Sequence, residues 1–159
     1  MSQVLDQASV TTPAPNGFHR VIDLPMPLRW GDMDAFGHVN NTVYFRFMEE
    51  TRISWFRQLA IAGANVEGQG PMIVNASMEF LRQLHYPGDV IGSMFVGPPG
   101  RSSFDTRFEL FRADDPATLY ARGTAKCVWI DYAAAKSVQI PDLLRHAIET
   151  AAVGIKTGA

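Results

Sequence analysis

Residues 41–62 read NTVYFRFMEETRISWFRQLAIA, and this stretch decides the architecture. Tyr44, Met48, Trp55 and Leu59 fall at or near three- and four-residue spacings, so the pattern predicts a helix. Phe45, Phe47, Ile53 and Phe56 widen its apolar face well beyond a stripe. Such a helix has to be buried by neighbours on several sides. Asn40 or Asn41 suits the cap at its start, and Gly63 suits the stop at its end.

The flanking sequence supplies those neighbours as strands. Downstream, Met72, Val74, Ala76, Met78 and Phe80 alternate with Ile73, Asn75, Ser77, Glu79 and Leu81. Phe104, Thr106, Phe108 and Leu110 alternate with Asp105, Arg107, Glu109 and Phe111. Val90–Val96 and Leu119–Ile130 are further strand-like runs, and turn signals rich in Gly, Pro and Asp separate all four. Upstream, residues 21–28 predict a first strand ending near Arg29 or Trp30; Pro25 and Pro27 suit only an edge or a strand start. Ser137–Gln139 suits a short strand, and Pro141 opens a C-terminal helix reaching about Ala152. The expected fold class is α+β, with four or more antiparallel strands in a meander curved around one long helix. Pairing with a second copy is one way to protect the strand edges left over.

The chain has 159 residues, of which 47% are hydrophobic and 19% charged, enough for a single cored domain. Residues 1–17 read as a flexible leader, 18–152 as the domain and 153–159 as a tail. Fourteen basic and sixteen acidic residues give a formal charge of −2, so the basic excess of a nucleic-acid binder is absent. One cysteine, Cys127, permits no internal disulfide and no multi-cysteine zinc site. It sits on a predicted strand and reads as a small core residue rather than a nucleophile. The four histidines, His19, His38, His85 and His146, lack metal-ligand spacing, so no metal is expected. No apolar run is long enough for a membrane helix, and the N-terminus lacks the pattern of a secretory signal. The expected location is the cytoplasm, with no nucleic-acid and no membrane partner.

The chemistry concentrates in residues 29–44, RWGDMDAFGHVNNTVY. Asp32, Asp34, His38, Asn40 and Asn41 crowd a loop that feeds the start of the apolar helix. A helix start offers unpaired N–H groups and a positive dipole end, which can polarise a carbonyl. A carboxylate just before it can attack that carbonyl or activate a water. The same residues also read as turn formers and a cap, and on physical grounds alone both readings stand.

The stretch RWGDMDAFGHVNNTVYFRFMEETR resembles the signature of the 4-hydroxybenzoyl-CoA thioesterase-like family of hotdog-fold acyl-CoA thioesterases. Leu84–Asp89 (LHYPGD), Gly100–Ser103 (GRSS), Val128–Asp131 (VWID) and Lys136–Pro141 (KSVQIP) agree with it, so the resemblance covers about residues 22–150. It implies an antiparallel five- to six-stranded sheet wrapped around a central helix, homodimers joined edge to edge or homotetramers, and an acyl-CoA substrate. It also implies hydrolysis without metal or bound cofactor. By motif position Asp34 corresponds to the catalytic carboxylate and Asn41 to the helix-start amide that polarises the thioester carbonyl. His38 is a candidate to orient the site or contact the acyl or leaving group, or else a plain hydrogen-bonding residue. Gly37 suits a tight turn and a close substrate approach. Tyr44 suits either the core or the acyl pocket. Asp32 reads as a structural partner in the loop, and mid-helix Glu49 and Glu50 as ion-paired or solvated. Arg82, Arg101, Ser102 and Ser103 are candidates for the phosphates of coenzyme A. Two rival functions use the same fold: hydration or dehydration of an enoyl or hydroxyacyl thioester, with Asp34 and His38 as acid and base, and non-catalytic binding of an acyl thioester.

Overall fold

The computed structural model of the chain describes residues 14–61 and 68–153. Most of the expected leader, the expected helix stop at Gly63 and most of the tail lie outside the described residues. Strand β1 (His19–Pro27) leads through a 3-10 turn (Trp30–Asp32) and a loop into helix α1 (Asn41–Gln58). Strands β2 (Gln69–Phe80), β3 (Asp89–Val96), β4 (Ser103–Arg112), β5 (Asp115–Asp131) and the short β6 (Lys136–Ser137) follow, and helix α2 (Asp142–Val153) closes the domain. Among the described residues no helix is long and apolar enough to cross a membrane.

The expected α+β class holds, with all pairings antiparallel, but the meander is only partial. Strands β3, β4 and β5 run as neighbours, whereas the order across the sheet is β1-β3-β4-β5-β2. Helix α1 separates β1 from β2 in the chain, and the two end as opposite edges. Alternation within a strand specifies which side chains face the core and says nothing about which strand lies next door. β5 also starts earlier than its apolar run suggests. It passes through Pro116 where the ladder is broken, its pairing partners jumping from Asp115 to Leu119. β1 stops at Pro27, short of the expected Arg29. It is an edge strand, where the missing proline N–H groups are tolerated.

Helix α1 lies across one face of the curved sheet. Tyr44, Phe47, Met48, Thr51, Trp55 and Phe56 are buried, and burying side chains the size of Phe47 and Phe56 contributes about 1.5–3 kcal/mol each. The approach is close where the sheet has no side chain. A Cβ on Gly92 would collide with Thr51 Oγ1 and come 2.9 Å from Met26 Cε and Phe108 Cε2. The helix ends at Gln58 without a glycine. Ala60 adopts a left-handed φ of 56°; Ile61 N–H donates to Phe56 O at 2.8 Å and Ala60 N–H to Arg57 O at 2.9 Å, which satisfies two of the last carbonyls.

Two core clusters flank the helix. One joins Ile140 and, from α2, Leu144 and Ile148 to Trp55, Phe104 and Trp129. The other joins Tyr44, Phe47 and Met48 to Val39, Leu84, Val90 and Leu110, directly beneath the loop that precedes α1. Cys127 belongs to the first cluster and is fully buried, and burial pushes its thiol up to about 12.

Candidate active site

The loop before α1 is a tightly bonded turn. Asp34 N–H donates to His38 O at 2.9 Å, and Gly37 N–H donates back to Asp34 O at 3.0 Å. Gly37 has a φ of 79°, the left-handed region that favours glycine. The turn hangs on the core through Val39 N–H to Leu84 O and Asn40 N–H to Asp32 O, both 2.9 Å.

The two aspartates of the motif separate by environment. Asp32 is 6% exposed. One oxygen accepts from Arg46 Nη2 at 2.6 Å and the other from Arg29 N–H at 2.8 Å. Both oxygens are committed, so Asp32 is the structural partner the sequence suggests. Asp34 is half-buried; its Oδ1 accepts from Phe36 N–H at 2.9 Å, a local turn that fixes the carboxylate plane. Among the described residues its Oδ2 meets only Asn40 Nδ2, at 3.4 Å. The turn-forming and reactive readings of Asp34 are therefore compatible: one oxygen is held by a short bond that orients the group, and the other by a long one.

Asn40 caps α1, its Oδ1 accepting from Thr42 N–H at 3.0 Å, while its carbonyl accepts from Val43 N–H. Asn41 supplies the first helical N–H, which has no partner within a helix and points toward the positive dipole end. A cleft of about 500 Å³ is lined by Asp34, His38, Val39, Asn41, Tyr44, Phe80, Leu81, Arg82 and Gln83. The fold therefore gathers Asp34, Asn41, His38, Tyr44 and Arg82 at one opening. The Tyr44 hydroxyl is taken, donating to Arg82 O and accepting from Leu84 N–H, so this residue presents its ring to the cleft. Burial pushes the Tyr44 hydroxyl further up from its ordinary value. Phe80 packs edge-on to Tyr44 at 5.1 Å and is itself 46% exposed.

Other candidates lie elsewhere. Ser103 opens β4 opposite Val128, which pairs with Met72 near the start of β2, whereas the cleft adjoins Phe80 at the end of β2. Arg101, Ser102 and Ser103 thus sit at the opposite end of the sheet from Asp34 within one chain. Glu49 is exposed, and Glu50 lies 3.4 Å from Arg46, whose shorter contact is to Asp32. Arg52 is buried, and burial pulls its guanidinium down from its ordinary value, against the opposing pull of Cys127 and Glu49. Among the described residues no group of three or more His, Cys, Asp or Glu side chains could hold a metal ion. His85 drew notice in the sequence only as a histidine without metal-ligand spacing and as part of the LHYPGD segment, with no role at the site. It lies 47 positions after His38, in a turn with no periodic signal, and only the fold brings the two rings to 5.0 Å.

Residues 28–148 match the family model of the thioesterase-like superfamily. A solved structure from Pseudomonas aeruginosa, described as a candidate thioesterase, is 37% identical, with a TM-score of 0.77 over 81% of this chain and 98% of that one. One from Xanthomonas campestris, described as a candidate acyl-CoA thioesterase, is 30% identical, with a TM-score of 0.66 over 76% of this chain and 99% of that one. The 1,4-dihydroxy-2-naphthoyl-CoA thioesterase of Synechocystis shares the fold at 20% identity, with a TM-score of 0.74 over 83% of this chain and 96% of that one. The uncharacterized protein YsmA of Bacillus subtilis is 33% identical over 57 residues, a match spanning 36% of this chain and 38% of that relative's length.

Proposed function

The chain belongs to the thioesterase-like superfamily, and on that premise we propose that it hydrolyses an acyl-CoA thioester to a carboxylic acid and free CoA. One observation carries the reading: the half-buried Asp34 carboxylate, with one oxygen held only by a long 3.4 Å contact from Asn40 Nδ2, shares a cleft with the helix start at Asn41. In this reading the thioester carbonyl oxygen accepts from Asn41 N–H, and the charge that develops on it meets the positive end of α1. Asp34 Oδ2 either attacks the carbonyl carbon or takes a proton from the water that does. Collapse of the tetrahedral intermediate breaks the C–S bond, and the CoA thiolate leaves and picks up a proton. In the first route water then hydrolyses the acyl–aspartyl anhydride. The reaction as proposed uses no metal and no bound cofactor, since coenzyme A is part of the substrate. His38 contacts the acyl or leaving group, and Gly37 allows the close approach.

The proposed working unit is a homodimer or a dimer of dimers in the cytoplasm. Edge strand β1 is blunted by Pro25 and Pro27, whereas β2 is a 12-residue edge with exposed Met72, Val74 and Phe80. Pairing two β2 edges antiparallel would carry the start of one β2 to the end of the other. That brings a second copy's Gly100–Ser103 turn toward the Arg82 side of the cleft. Coenzyme A phosphates would then lie between Arg82 of one copy and Arg101, Ser102 and Ser103 of the other.

The test is thiol release from a panel of acyl-CoA substrates by the wild type and by Asp34→Asn. The wild type is expected to release CoA, and Asp34→Asn to lose on the order of 10²- to 10⁴-fold in kcat with its fold intact. A wild type that consumes enoyl-CoA without releasing thiol would place the chemistry in the hydratase class. Near-normal hydrolysis by Asp34→Asn would move the catalytic carboxylate elsewhere. Light scattering should give at least twice the chain mass of 17.6 kDa.

A further inference from the structure

We propose that His85 is a positioning residue for the candidate active site, acting through the Gly37 carbonyl and the His38 ring; this rests on the hydrolase reading above. His85 Nδ1 lies 3.0 Å from Gly37 O, and its ring stands edge-on to His38, centroids 5.0 Å apart at 63°. A carbonyl can only accept, so Nδ1 carries the proton and the tautomer is set by this bond.

The histidine is itself anchored. Arg112 donates from Nη1 to His85 O at 2.9 Å and from Nη2 to Pro87 O at 3.1 Å. The same guanidinium is held by both oxygens of Asp114, at 2.8 and 2.9 Å. Just before His85, Leu84 accepts from Val39 N–H at 2.9 Å, so the 84–88 segment braces the loop from a fixed base.

The brace meets the loop at its left-handed glycine. Gly37 has no Cβ to restrict it; its carbonyl belongs to the Gly37–His38 peptide, and the next carbonyl along, His38 O, accepts from Asp34 N–H. The His85 bond holds the plane of the Gly37–His38 peptide, and through it the His38 side chain and the His38 carbonyl that accepts from Asp34 N–H. Misplacing such groups by about an ångström lowers turnover on the order of 10²-fold while substrate contacts persist.

The experiment compares His85→Ala, His85→Asn and His85→Phe, each checked by circular dichroism. Asparagine keeps a side-chain donor near the Nδ1 position, and phenylalanine keeps only the ring. The expected result is a fall in kcat of ~10- to 100-fold for Ala and Phe with KM nearly unchanged, and recovery of most of it by Asn. Wild-type kcat in Ala overturns the proposal, as does recovery by Phe but not Asn. Should His85→Ala fail to fold, the Asn and Phe pair decides. A readout independent of activity is amide hydrogen exchange at Asp34, which should quicken in Phe and return toward wild type in Asn. If the wild type releases no thiol from any acyl-CoA, the hydrolase reading fails, while the exchange comparison still judges the brace.

Discussion

Replacing Asp32 with asparagine should loosen the loop while leaving the chemistry proposed for the neighbouring Asp34 largely in place. The substitution keeps size and one acceptor, so Arg29 N–H retains a partner, but it removes the charge opposite Arg46 at 2.6 Å. Hydrogen bonds to charged groups contribute about 1.5–3 kcal/mol against about 1 for neutral ones, and breaking a fully buried pair costs about 3–5. The Arg46 side chain is 30% exposed and keeps Glu50 at 3.4 Å, so water can re-solvate it. The expected cost is therefore at the low end, about 2 kcal/mol. In a chain of 159 residues each kcal/mol moves Tm by about 2–4 °C, which gives a fall of roughly 4–8 °C. Differential scanning calorimetry and urea titration measure it, and a double-mutant cycle with Arg46→Met isolates the pair, with an expected coupling of about 1–2 kcal/mol. Activity should drop less than 10-fold, by roughly an order of magnitude less than in Asp34→Asn. An unchanged Tm together with a coupling of zero would refute the assignment of Asp32 as the ion-paired anchor of the loop.

Glu109 lies on the sheet face opposite α1, 8% exposed, with Oε2 unpartnered among the described residues; burial raises its carboxyl above the ordinary range, against the pull of Arg20 and Arg122. A raised folded value means its contribution is intact below about pH 4 and is lost as pH climbs through that value. Melting curves should therefore show Glu109→Gln above wild type at neutral pH, the gap closing on acidification. Gly92→Ala should lower stability by about 1–3 kcal/mol in a urea titration, because its methyl group would displace Thr51 and so lift α1 from the sheet. Cys127, fully buried with its thiol pushed up to about 12, should resist a thiol reagent in the native protein near neutral pH and react fully once urea unfolds the chain.

The long helix, the strands and the position of the loop before α1 were readable in the sequence because each rests on local periodicity or on a local motif. Tyr44, Met48 and Trp55 at helical spacing mark α1, alternation marks β2 and β4, and a carboxylate before a cap marks Asp34. Short-range rules also explain the capping by Asn40, since cap and capped N–H are two residues apart. What the local pattern could not carry is any relation across the chain. The placement of β2 beside β5 rather than β3 depends on which edge the crossing helix leaves open, and alternation is the same for either neighbour. The distinct fates of Asp32 and Asp34, two residues apart, depend on Arg46 a turn and more into α1. The bond from His85 to Gly37 spans 48 positions and exists because the turn before β3 folds back over the loop. The separation of Arg101–Ser103 from the cleft follows from strand register alone. Sequence thus determined the parts whose energies are local, and tertiary structure decided the contacts for which the chain must first close long loops.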